Sequence, residues 1–180
     1  MGRRAMFVTT LLLLVMCAIA QAADTTAVDS LAVDSLAVVS WLAGFDSSNC
    51  STTCFLAELS LNAAQIGQFL ILDLFIGLWS SGGPDIALEY LASYTQSEAR
   101  GNSKEALDLA KEIIKSMSES EDCPEKLVGA LEDAYLDQME AYELLNNPTG
   151  SLITFSEKVS SLRSAYARHI AKVEMYKPED

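Results

Sequence analysis

Histidine is almost missing from this 180-residue chain: His169 stands alone. A metal centre built on a histidine pair is thereby excluded, and Ser-His-Asp chemistry is left with one base and no nucleophile-elbow motif to serve. There is no glycine-rich phosphate loop and no Cys-x-x-Cys, so nucleotide-cradling and thioredoxin-like readings fall away too. Lysine and arginine are absent from Ala23 to Ala99, a stretch that holds nine acids. The whole chain sets 12 cations against 25 acids, a net charge of −13. Such a surface repels nucleic acid and anionic lipid. Alternating apolar and polar residues, the mark of a half-buried strand, do not recur over any useful length, whereas helical spacing does.

The first residues read as a secretory leader. Arg3 and Arg4 precede an apolar run from Phe7 to Ala20, and Ala20-Gln21-Ala22 offers small residues where a signal peptidase cuts. The run is shorter than the ~20 residues that cross a bilayer. Cleavage after Ala22 is expected to leave 158 residues with ten cations against twenty-five acids, a net charge of −15. That length makes one domain with a core of its own, and half the residues are hydrophobic, too many for a disordered chain. Secretion sets the cysteine chemistry. Cys17 leaves with the leader, and Cys50, Cys54 and Cys123 remain. A bond from Cys123 to one of the other two closes a loop of about 70 residues, a larger constraint on the unfolded chain than a Cys50–Cys54 bond. The expected pairing is Cys54 with Cys123, with Cys50 as the alternative, and the odd sulfur is free to be buried, capped or used in a disulfide-linked dimer. Asn49-Cys50-Ser51 is a glycosylation sequon at Asn49; Asn147-Pro148-Thr149 is barred by its proline.

Six helical segments are predicted, an all-α single-domain bundle of five to six helices. Residues 23–50 form an N-terminal segment, residues 51–177 the bundle and residues 178–180 a tail. The first segment, about 26–45, contains a doubled Ala-Val-Asp-Ser-Leu whose five-residue period suits neither helix nor strand. The second, 51–80, is the centre of the fold. Glu58, Asn62, Gln65 and Asp73 draw one narrow polar line along it, and nearly everything else is apolar. That is a buried central helix or a membrane span; the polar line and the lack of flanking Lys or Arg argue against the span. Pro84 opens the third segment, which should stop near Gly101. Asn102 and Glu105 have capping-box spacing for the fourth. Pro124 begins the fifth, with Leu127, Leu131, Ala134, Tyr135, Gln138, Tyr142 and Leu145 inward. The sixth, Ser151 to Tyr176, repeats Leu152, Phe155, Val159, Leu162, Tyr166, Ile170 and Val173 at threes and fours. The fifth is acidic and the sixth basic, so antiparallel packing sets opposite charges side by side.

Three clusters invite chemistry. Asp133, Asp137 and Glu140 share a face, but no calcium-loop pattern surrounds them, so they read as a solvated acidic face rather than a metal site. His169 borders an apolar line and reads as a structural residue. Asp73, deep in an apolar run, either orients a ligand headgroup or faces water or an arginine of the last helix. With Phe69, Tyr90, Tyr94 and Tyr166 it makes the candidate ligand pocket; the tyrosines bury their rings and keep a hydroxyl seeking a partner.

The layout resembles, in architecture, the plant invertase and pectin-methylesterase inhibitors, and Ala130-Leu131-Glu132-Asp133-Ala134-Tyr135 is similar to a motif of their third helix. Ala134 stands where that family has cysteine, and its widely spaced first cysteine pair is missing, so no residue role carries over. The resulting expectation is a secreted, non-enzymatic binding protein without catalytic residues, cofactor or metal. It would carry or sequester a small apolar ligand, or act as an extracellular interaction module or proteinaceous inhibitor.

Overall fold

The computed structural model describes residues 49–178. The leader, Cys17 and the helix expected over 26–45 lie outside those residues. Within them the chain is all-helical, with five helices: α1 Cys50–Gly82, α2 Pro84–Thr95, α3 Glu98–Ser118, α4 Glu125–Asn146 and α5 Leu152–Tyr176.

Each boundary has a local cause. Asn49 caps α1: its backbone is extended and its side-chain oxygen accepts the Thr52 N–H at 3.2 Å, so the helix begins one residue before the start expected at 51. Gly83, at φ +91, ends α1 in a conformation that favours glycine, and Pro84 starts α2 where a missing N–H does no harm. The next break does not lie at Gly101. It comes at Gln96 and Ser97, where Ser97 turns extended and its hydroxyl donates to the Tyr94 carbonyl at 2.7 Å. Gly101 and Asn102 are helical residues of α3; a lone glycine inside a 21-residue helix costs only about 1 kcal/mol. Ser151 and Thr154 satisfy each other's backbone N–H groups at the start of α5, a reciprocal cap.

All four other helices pack on α1. They enclose two apolar clusters. One joins Cys54 and Leu61 of α1 to Leu107, Ile114 and Met117 of α3, Leu127 and Leu131 of α4, and Tyr166 and Val173 of α5. The other joins Phe69, Leu72 and Phe75 of α1 to Ala87 and Leu91 of α2, Leu145 of α4, and Phe155 and Leu162 of α5. Phe75 anchors the second, its ring centroid 5.0 Å from Phe155 and 5.4 Å from Trp79. The clusters order the helices: α3 and α5 run against α1, and α4 runs with it. Close approach helps, since a side chain at Gly67 of α1 would meet the Ser103 hydroxyl of α3 at 3.2 Å.

Between the clusters, along both α1 and α4, sits a glutamine. Gln68 and Gln138 are fully buried, and neither carboxamide makes a hydrogen bond. An unmet buried amide costs about 1–3 kcal/mol. The double variant Gln68→Met, Gln138→Met should therefore be more stable than the wild type by about 1–2 kcal/mol, read as a higher urea midpoint at unchanged slope. A lower midpoint would mean that the two amides are satisfied in solution.

Candidate functional site

Position along α1 decides what each of its side chains meets, and the helix presents three faces. The first supplies both apolar clusters. The second is the polar line, and α5 lies on it. Glu58 pairs with Lys177 at 2.7 Å, the Tyr166 hydroxyl donates to the Asn62 side-chain oxygen at 2.9 Å, and Arg163 reaches both oxygens of Asp73 at 2.8 Å. The Arg163 guanidinium also stands 5.0 Å from the centre of the Phe69 ring, a cation over an aromatic face. The third face is apolar and only partly covered by the described residues. Ile66, Leu70 and Leu74 are 39, 42 and 45% exposed, with Leu59 half-buried and Ala63 and Gly77 exposed on the same side. These residues step by threes and fours, which keeps them on one stripe. A buried central helix was expected; this one keeps an outward apolar ridge. A contiguous exposed patch of this kind marks an interaction surface more often than a lone exposed leucine does.

The candidate pocket residues divide. Phe69 and Asp73 share Arg163, and Tyr166 is fixed to Asn62 next along α5. Burial pushes the Tyr166 phenol up, and the carboxylates of Glu58 and Asp137 push the same way. Tyr90 and Tyr94 lie apart on α2. Burial raises the Tyr94 phenol and the Ser103 hydroxyl opposes it in part, but Tyr94 makes no well-formed hydrogen bond. Burial also raises Tyr90, with Tyr94 adding to it. A depression of about 580 Å³ lies elsewhere, at the α3–α4 corner, where Glu119, Glu121, Glu125 and Glu132 surround Cys123.

The acids of α4 are matched by α5, in antiparallel order. Glu140 pairs with Lys158 at 3.1 Å, and Asp133 with Lys172 at 4.0 Å. His169 sits between two carboxylates: Nδ1 is 2.6 Å from Asp137 and Nε2 is 3.8 Å from Asp133. Both ring nitrogens thus face acids of α4, an arrangement that ties two helices together.

The disulfide joins Cys123 to Cys50, with Cα atoms 5.3 Å apart, rather than to Cys54. Cys50 is the first residue of α1, facing the loop before α4, whereas Cys54 is one turn further in and fully buried. Spacing alone did not separate the two. Burial, reinforced by Glu58, pushes the Cys54 thiol up to about 12. No surface thiol among the described residues remains to link two chains.

With the disulfide intact, alkylation of Cys54 at about pH 8 should proceed only through unfolding, at least ~10³ times slower than for an exposed thiol; rapid labelling would contradict the burial. Burial raises the Glu58 carboxyl above the ordinary value, and the hydrogen bond and charge of Lys177 hold it back. A raised folded-state value gives stability that is complete below the unfolded value of about 4.3 and is lost as pH rises through the folded value. Lys177→Met leaves that acid without its cation. It should cost about 1–2 kcal/mol near pH 7, with part of the loss regained on acidification towards about pH 5. A pH-independent loss in urea titrations would assign Lys177 a packing role only.

Compared with protein-family models, with characterised proteins and with solved structures, the chain matches none.

Proposed function

We propose that this chain is a secreted, non-enzymatic helical-bundle binding protein, released after removal of residues 1–22, and that the outward ridge of α1 is its contact surface. The observation that carries the reading is the run Ile66, Leu70 and Leu74, each about two-fifths exposed along one side of α1. Burying such side chains is worth roughly 1–2 kcal/mol apiece, so a partner that covers them gains affinity directly. The charge balance narrows the partner: an acidic surface favours a protein over nucleic acid or anionic lipid. Asn49 is exposed, as a glycan acceptor must be.

The ridge favours the interaction module over the small-ligand carrier. Sites for small apolar molecules are concave and largely apolar; the depression at the α3–α4 corner is rich in acids instead. By length and composition α1 is able to cross a bilayer. The soluble reading rests on its three polar contacts with α5 and on the disulfide at its first residue, the former of which would break in a lone span.

The double variant Ile66→Glu, Leu70→Glu should lose at least about half of the bis-ANS fluorescence that the wild-type chain induces, with its circular dichroism unchanged. Equal fluorescence would remove the ridge as a binding surface. A fluorescent fatty acid should show no saturable uptake; one-to-one uptake would return the chain to the carrier class.

A further inference from the structure

Resting on that reading of the α1 ridge, we propose that its partner is a second copy of this chain, laid antiparallel across a two-fold axis at Leu70. The ridge is self-complementary about that residue. In an antiparallel pair with Leu70 opposite Leu70, Ile66 stands opposite Leu74, Ala63 opposite Gly77, and Leu59 opposite Ser81. Large side chains therefore meet at the centre, and small ones meet one layer out, where the helices must come close. Nothing lies within 4 Å of where a side chain at Gly77 would begin, so that space is open to a neighbour. Isologous pairing of one patch with itself is the common solution for dimers.

Charge sets the direction. Asp73 is the acid at the ridge edge, and its own Arg163 already neutralises it. In a parallel, in-register pair, the two Asp73 side chains would face each other. In the antiparallel pair each lies level with Gly67, about 9 Å along the axis from its counterpart at 1.5 Å per residue. Two copies of a mature chain at −15 (ten cations against twenty-five acids) can thus meet along a surface whose one acid is already paired. Three large side chains, each about two-fifths exposed, bury less than the ~800 Å² a side of a standard interface. The dimer is accordingly reversible, with a dissociation constant on the order of micromolar to tens of micromolar.

Sedimentation velocity of the full mature chain, from about 1 to 500 μM, should show a reversible monomer–dimer equilibrium that Leu70→Glu abolishes. Gly77→Met separates the fold from the dimer: the site is open in the monomer and helix propensity improves, so helicity should hold while dimerisation weakens at least about tenfold. Under mild oxidation Leu70→Cys should cross-link two chains and Gly77→Cys should not. Cross-linking of both to the same extent would mean a parallel pair and overturn the proposal. A single-chain mass at every concentration would overturn it too. If such a monomer still lost dye binding on Ile66→Glu, Leu70→Glu substitution, the binding reading would stand with another occupant; if it did not, both would fall. Flotation of the monomer with phosphatidylcholine vesicles would give the ridge to a lipid surface instead.

Discussion

A 33-residue helix that is apolar around most of its girth makes a demand on the rest of the chain: something must cover it. Two neighbours, enough for an ordinary surface helix, cover less than half of a circumference. Here four helices pack on α1, and the order of the chain follows from that need. The segment after the Gly83 turn returns along α1 as α2 and α3. α4 then runs with α1, and α5 returns along the polar line. What is left over after all four have docked is the ridge. It is the part of α1 for which the described residues provide only partial cover, and its side chains remain as apolar as those inside.

Charge segregation places α5. The acids of α1 have no cation within their own half of the sequence, since none lies between Ala23 and Ala99. They meet Arg163 and Lys177 only by packing with the last helix. The same helix supplies Lys158, His169 and Lys172 to the acids of α4. Most of these pairs are half-exposed, and each is worth under about 1 kcal/mol. Their number sets register more than it adds stability: sliding α5 by one turn would move every basic group off its acid at once. Glu58 is different because it is buried. Its net contribution depends on Lys177 staying in place, so the last turn of α5 and the residue after it matter more than a chain end usually does.

Much of the fold was legible in the sequence, for reasons that differ from helix to helix. The threes and fours of α5 gave both its span and its inward residues, because nearly every inward position is large and apolar. Gln138 was visible as the one polar position on the inner face of α4, though nothing showed that it would be matched by Gln68 of α1 at the same level. Gly101 misled: a glycine next to a capping-box pattern has the local signature of a helix start, and only the Tyr94–Ser97 contact placed the break before it. The cysteine pairing turned on which of two residues one turn apart faces the α3–α4 loop, a matter of rotation that spacing does not encode. The ridge was hidden for a related reason. Periodicity counts apolar positions on a helix; it does not count the neighbours that will arrive to cover them.

The two glutamines bear on why the packing is single-valued. Apolar helices that meet over a long seam can shift by a turn with little change in buried area, since one leucine replaces another. A buried carboxamide on α1 and another on α4, each at the junction of two apolar clusters, make such shifts unequal. Any slide would drive an amide into the middle of a cluster, among Leu61 or Phe75, where its desolvation is greatest. Stability is given up at one layer and a preferred alignment is gained, the use of buried polar groups best attested in coiled coils.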